Sequence, residues 1–305
     1  MGTWGVGLYQ CDDAADLRSD FREVARAPWD GDRLLAWALD AYPEAAHEGA
    51  DGYTDVRLAL ADLYWTYGID QRDVRDTALA IVDDGADLES KRQLGMSDRD
   101  LKKRATVLDE LAAKWRRVNP KPRDRRLLQA PQRFLLQPGD CLTYPTARGR
   151  VRNPYVTPVR EAGYYKTFPW EQDGWAAAIV LACAHRFDTF ARYLVAILRY
   201  DGDGQPALDA FPKLSILHSR TFAHEPERRV HLVSTTRTHL QRMGVTVAGN
   251  LAVRADRVEE HFARELMRAG RELANDAWTL PDMYRYNPER LAPADVLDPI
   301  AAFLA

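Results

Sequence analysis

The densest run of interaction chemistry in this chain lies between residues 148 and 170. In RGRVRN, residues 148 to 153, Arg148, Arg150 and Arg152 alternate, so on an extended segment all three side chains share one face. A planar guanidinium grips phosphate or carboxylate through two parallel hydrogen bonds, which suits such a row to an anionic partner. Tyr155, Tyr165 and Trp170 follow and bring ring faces on which a partner's side chain or a base can stack. Arginine, tyrosine and tryptophan carry most of the energy at protein interfaces. These six side chains are the candidate binding residues.

Groups that could make or break bonds are less well placed. Asp12, Asp13 and Asp16 could offer oxygens to a hard cation, since positions 12 and 16 share a helical face. Capping and the positive end of the helix dipole explain aspartates at a helix start equally well. DGDGQ, residues 201 to 205, begins like a calcium loop, yet Pro206 stands where that loop needs glycine and Pro212 where it needs glutamate. It reads as a turn. His218, His224, His231 and His239 lack the spacing of a helical metal pair, and no cysteine accompanies them. Arg254 and His261 match the R-x(4-6)-H spacing of a family of small helical ribonucleases, although a charged helix face accounts for both. Gly2, Gly5 and Gly7 follow no strand, which excludes a dinucleotide loop, and they read as a flexible plug anchored by Trp4. Neither a G-x-x-x-x-G-K-[ST] loop nor a G-x-S-x-G elbow occurs. Cys11, Cys141 and Cys183 are too scattered for a disulfide framework or a zinc knuckle and read as small buried apolar residues. No catalytic residue, metal or cofactor is therefore assigned, and the residues lean away from an enzyme.

Positioning these residues takes two domains, as a chain of 305 residues leads one to expect. The net charge of -3 conceals a split: residues 1 to 113 hold 13 basic against 24 acidic side chains, and the remainder 29 against 21. Opposite halves of this kind suit mutual attraction or differently charged partners. Residues 1 to 118 read as an antiparallel helical bundle. Asp12 caps a first helix with Ala14, Leu17, Phe21 and Val24 on one stripe, and Leu34 to Tyr42, Val56 to Tyr67, Asp70 to Val82 and Leu101 to Trp115 repeat the helical period. KWRRVNPKPRDRR, residues 114 to 126, has seven basic residues and one acidic one, with Pro120 and Pro122 blocking further helix. It marks a solvated, mobile basic linker over 119 to 133.

From residue 134 to 305 the period changes to a β-rich domain with a C-terminal helix and tail. Phe134 to Leu136 and Cys141 to Tyr144 flank Pro138-Gly139-Asp140 as a hairpin. Residues 175 to 183 place Trp175, Ile179, Leu181 and Cys183 on one strand face and Ala176, Ala178 and Ala182 on the other. Residues 193 to 200, 230 to 233 and 245 to 248 supply further strands, and Arg254 to Ala274 a flanking helix. The fold class is α+β: a helical bundle plus a small curved sheet or partly open barrel. No apolar run is long enough to span a bilayer and no signal peptide is evident, so a cytoplasmic protein without a membrane partner is expected.

Two resemblances join these readings. M-G-x-W-G-x-G followed by D-D-x-A-x-D, here Met1, Gly2, Trp4, Gly5, Gly7, Asp12, Asp13, Ala15 and Asp16, resembles a bacterial family of uncharacterised proteins over residues 1 to 115. Gln137, Pro138, Gly139, Asp140 and Leu142, followed by WAAAIV and YLVAIL, look like the K-P-G-D β-domain found among immunity proteins encoded beside bacterial polymorphic toxins. Here Gln137 replaces the lysine and a long insert, Ala147 to Gly174, separates the strands. This second resemblance implies a non-enzymatic protein that binds a toxin or another defence component. The alternatives are a nucleic-acid-binding module built on the basic linker and β-domain, and, less favoured, a metal-dependent hydrolase or nuclease.

Overall fold

The computed structural model describes residues 5–147, 151–153, 170–219, 227–228, 230–269 and 299–305. The chain divides between Gln129 and Ala130 into two compact units. Helices make up the first and an antiparallel sheet organises the second, so the α+β class holds.

The helical unit comprises α1 (Asp12–Val24), α2 (Gly31–Ala41), α3 (Tyr53–Tyr67), α4 (Arg72–Asp83), α5 (Ala86–Gln93) and α6 (Asp98–Trp115). Its centre is α3, which is buried on nearly every side and begins and ends at left-handed glycines, Gly52 and Gly68. The apolar stripe of α1 packs inward as its spacing requires, and Phe21 meets the rings of Trp37, Tyr64 and Tyr67 at 6.2, 5.7 and 5.8 Å. Cys11 rather than Asp12 is the N-cap of α1; Asp12 and Asp13 fall in the first turn, where their charge meets the helix dipole. Ser97 caps α6, its hydroxyl accepting from the Asp100 N–H at 3.2 Å. No apolar period announces α5, because its buried residues are Asp87 and Lys91.

The second unit carries β1 (Asp140–Thr146), β2 (Gly174–Arg186), β3 (Phe190–Arg199), β4 (Ser215–Ile216), β5 (His218–Ser219), β6 (Glu227–Arg228), β7 (Val230–Val233) and β8 (Thr246–Asn250), with α7 (Arg237–Met243) and α8 (Ala255–Ala269). Strands β4, β3, β2, β1 and β8 pair in that order, β7 also joins β3, and β5 and β6 form a separate pair. Among the described residues the ladder runs open and does not close into a barrel. Phe134 to Leu136 form no strand, so the expected hairpin is absent; the Leu135 N–H instead donates to the Tyr193 hydroxyl at 2.7 Å.

Both faces of the sheet are covered. On one, Leu142, Tyr144, Ala176, Ala178, Val180, Tyr193 and Val195 cluster; on the other, Ile179, Leu181, Leu194 and Ala196 meet Phe211, Phe303 and, from α8, Val258 and Phe262. The register of β2 against β3 shifts between Val180 and Ala182. This bulge inserts a residue and reverses the alternation beyond it, so Cys183 packs with Ala176 and Ala178 and not on the Ile179 face where strict alternation would put it.

The Q-P-G-D segment is the corner from which β1 starts. Asp140 accepts from the Gln137 N–H at 2.8 Å, while the Asn250 amide donates to the Pro138 carbonyl and the Asp140 carboxylate, each at 2.9 Å. Gly139 turns with φ +90°, donates to the Val180 carbonyl at 2.7 Å and accepts from the Leu251 N–H at 3.0 Å. A methyl group there would overlap the Leu251 carbonyl oxygen, so the corner needs glycine for space as well as for conformation. Gly139→Ala should therefore destabilise the β-unit by about 2 kcal/mol or more, read as a lowered urea midpoint with the helical signal unchanged. A cost within about 0.5 kcal/mol would show that the corner relaxes freely.

Candidate functional site

Two of the six candidate binding residues are described, and they come together. The Arg152 guanidinium lies over the Trp170 ring, 5.5 Å from its centroid. Arg152 is flanked by Val151 and Asn153, both buried, and Val151 packs on the Leu142–Tyr144 face of the sheet. Arg148, Arg150, Tyr155 and Tyr165 lie outside the described residues. The pair stands at the base of the connection between β1 and β2, which the Asp173 N–H closes by donating to the Thr146 carbonyl at 3.0 Å. Thr146 and Gly174 are direct cross-strand partners, so residues 147 to 173 span a gap that a short turn would bridge.

The most concentrated electrostatics lie in the helical unit. Arg104, 1% exposed, donates from Nε and Nη2 to the two carboxylate oxygens of Asp87, each at 2.9 Å. Its third nitrogen donates to the carbonyls of Gly7 at 3.0 Å and Val6 at 3.3 Å, clamping the glycine segment onto α6. Lys91 pairs with Asp55, which lies 3.6 Å from Arg104. Burial works against the Arg104 charge, but the hydrogen bonds and field of Asp87 outweigh it and hold the guanidinium more firmly protonated than usual. Two acids and two bases thus neutralise one another away from water. Tyr9 extends the clamp by donating to Asp62 at 2.8 Å; burial and the Asp62 charge push its hydroxyl far above the usual tyrosine range.

Apolar periodicity alone misses this cluster, although the sequence carries a signal of it. Arg104 sits on the same stripe of α6 as Leu101, Leu108 and Ala112, and a charge on a buried stripe demands a buried partner. Asp87 and Lys91, one helical turn apart, lie in a segment too polar to read as a packed helix.

Elsewhere, groups with chemical potential are held in scaffold contacts. Burial pushes the thiols of Cys11 and Cys141 up to about 12 and that of Cys183 to about 11, with Asp55 adding to the first and Asp140 to the other two, so all three stay neutral. The Tyr200 hydroxyl donates across the 201–205 turn to the Gly204 carbonyl at 2.8 Å, and Gln205 donates to Thr143 and Thr246. Arg254 pairs with Asp256 at 2.9 Å, whereas His261 contacts the Arg257 carbonyl at 2.9 Å and rests edge-on against Phe303. Burial and then Arg242 lower the pKa of His239, while His224 lies outside the described residues. Among the described residues no three His, Cys, Asp or Glu side chains gather to hold a metal ion.

The basic stretch is more tightly held than a mobile linker. Arg125 donates to the carbonyls of Ala25, Ala27 and Trp29, Arg123 lies over Tyr67, Arg116 grips Asp83, and Lys114 pairs with Asp62 beside Trp65. Among the described residues no helix is long and apolar enough to cross a membrane. Compared with protein-family models, curated proteins and solved structures, the chain finds no match.

Two substitutions probe the helical unit. Arg104→Met should cost about 3–5 kcal/mol, because it strands Asp87 and two backbone carbonyls without a donor, and urea denaturation should show it. A loss under about 1 kcal/mol would mean that the charges had reached water. Burial, then Glu44, Asp55, Asp51 and Asp12, raise the Asp13 pKa, so the fold favours its protonated form. That contribution is full below the ordinary aspartate pKa of about 3.9 and is lost as the pH rises through the raised value. Asp13→Asn should accordingly raise the melting temperature at neutral pH, and its advantage should vanish in acid; an equal gain at both pH values would refute the assignment.

Proposed function

We propose that the chain is a non-enzymatic partner-binding protein of the immunity type, which presents the connection between β1 and β2 to a bacterial protein such as a toxin. The observation that carries this reading is that connection itself. Strands paired directly at Thr146 and Gly174 need only about two to five residues between them, and each added residue increases the entropy lost on closing the loop. The connection from residue 147 to 173 is far longer than that, and long connections of this kind commonly carry function. At its base the connection carries Arg152 over Trp170, a pairing of residue types that anchors many interfaces.

In this reading the helices form an antiparallel bundle, the bulge in β2 curves a partly open sheet, and both serve as scaffolds in the cytoplasm. The neutral thiols and the mutually paired buried charges support binding over bond-making. The basic stretch from residue 114 to 126 supports nucleic-acid binding less, because Lys114, Arg116, Arg123 and Arg125 already have intramolecular partners and counterion release needs free cations.

Calorimetric titration with the product of the adjacent reading frame tests the proposal. The two should form a stoichiometric complex, and Arg152→Ala and Trp170→Ala should each weaken it by about tenfold or more while leaving the fold intact. Wild-type affinity in both variants would overturn the site. If the chain instead binds RNA or DNA with an affinity that falls steeply with salt, the nucleic-acid alternative replaces it.

A further inference from the structure

A second feature lies wholly inside the helical unit and does not rest on the preceding reading. The end of α3, the turn into α4, the end of α6 and the chain as far as Pro122 line a half-open cavity of about 390 Å³, within the size range of small-molecule sites. Its walls include Ala61, Tyr64, Trp65, Ile69 and Trp115, a largely aromatic and aliphatic lining.

Most polar groups around it are already spent. The Trp65 N–H donates to the Arg117 carbonyl at 2.8 Å, and the Asn119 amide donates to the Trp65 carbonyl at 2.9 Å. Gln71 caps α4 and reaches Asp32; Arg75 pairs with Asp76 at 3.0 Å and Arg116 with Asp83 at 2.7 Å. One donor is left over: the Arg117 guanidinium, exposed to solvent, has no partner among the described residues. Against it stands one acid at the rim, Asp70. A hydrogen bond from a guanidinium to an anionic oxygen is roughly twice as strong as one between neutral groups.

We infer that this cavity binds a small planar aromatic acid, its ring among Trp65, Trp115 and Tyr64 and its acidic group toward Arg117. Flat rings gain from offset or edge contact with such walls, and an acidic group pairs with the guanidinium that no side chain of the fold engages. A neutral ring would fill the same volume but forgo the pairing with Arg117, so the site discriminates by charge.

The full-length chain can be titrated with 1-anilinonaphthalene-8-sulfonate, followed by its fluorescence, in parallel with N-phenyl-1-naphthylamine, the same ring system without the sulfonate. The sulfonate should bind saturably at one site and more tightly than its neutral counterpart. Arg117→Ala should weaken it by about fivefold without changing the melting temperature or the affinity for the neutral ring. Absence of saturable binding, equal affinity for the two ring compounds, or sulfonate binding undiminished by Arg117→Ala would each overturn the inference.

Discussion

The helical unit depends on a constraint that burial imposes: a charge taken out of water must be met by an opposite charge and by hydrogen bonds for each remaining polar atom. Arg104 satisfies this with all three nitrogens, two on Asp87 and one on the carbonyls of Val6 and Gly7. Its position on the apolar stripe of α6 fixes where α5 must lie, since only the first turn of that helix can deliver Asp87. The same guanidinium holds the glycine segment that precedes α1. One side chain thereby joins three parts of the chain far apart in sequence. A hydrophobic residue of similar volume could fill the space, but it could not select Asp87 and two specific carbonyls over other apolar contacts.

In the β-unit the corresponding constraint is steric and sits at Gly139. The corner there hydrogen-bonds to β2 on one side and to the chain leaving β8 on the other, so it fixes the register of β1 between its two neighbours. Once β1 is set, the bulge in β2 decides which side chains reach which face. The covering of both faces follows: continuous apolar runs such as Ala176 to Leu181 belong to strands buried on both sides, which explains their poor alternation.

Legibility in the sequence tracks the kind of force at work. Apolar stripes announce α1 and α6, because period and burial coincide there, whereas α3 is buried all round and shows itself by its apolar content. Helix α5 is silent: its inward residues are Asp87 and Lys91, and a scale that counts apolar side chains cannot see a buried ion pair. Strict alternation puts Cys183 on the wrong face, because a bulge is set by the partner strand and not by local composition. The hairpin expected at Phe134 fails for a related reason, as Leu135 is held by a side chain of β3 and not by a paired backbone. Of the candidate binding residues, Arg152 and Trp170 can be singled out by type, but their pairing depends on β1 and β2 being neighbours.

The charge asymmetry between the two parts of the chain is partly resolved within the helical unit. Read as a sequence, residues 114 to 126 are a solvated basic stretch leading into a mobile linker. In the fold, Lys114, Arg116, Arg123 and Arg125 turn back onto the helical unit, on Asp62, Asp83, the Tyr67 ring and three backbone carbonyls. The acidic excess of that unit is thus partly answered by the stretch that follows α6, and the cations act as staples. Arg117 escapes this use: its carbonyl is engaged by Trp65, but its guanidinium is left beside an aromatic cavity. A charge count could not have separated Arg117 from its neighbours. The difference rests on which carboxylates and carbonyls the helices bring within reach, and that is decided by how α3, α4 and α6 pack.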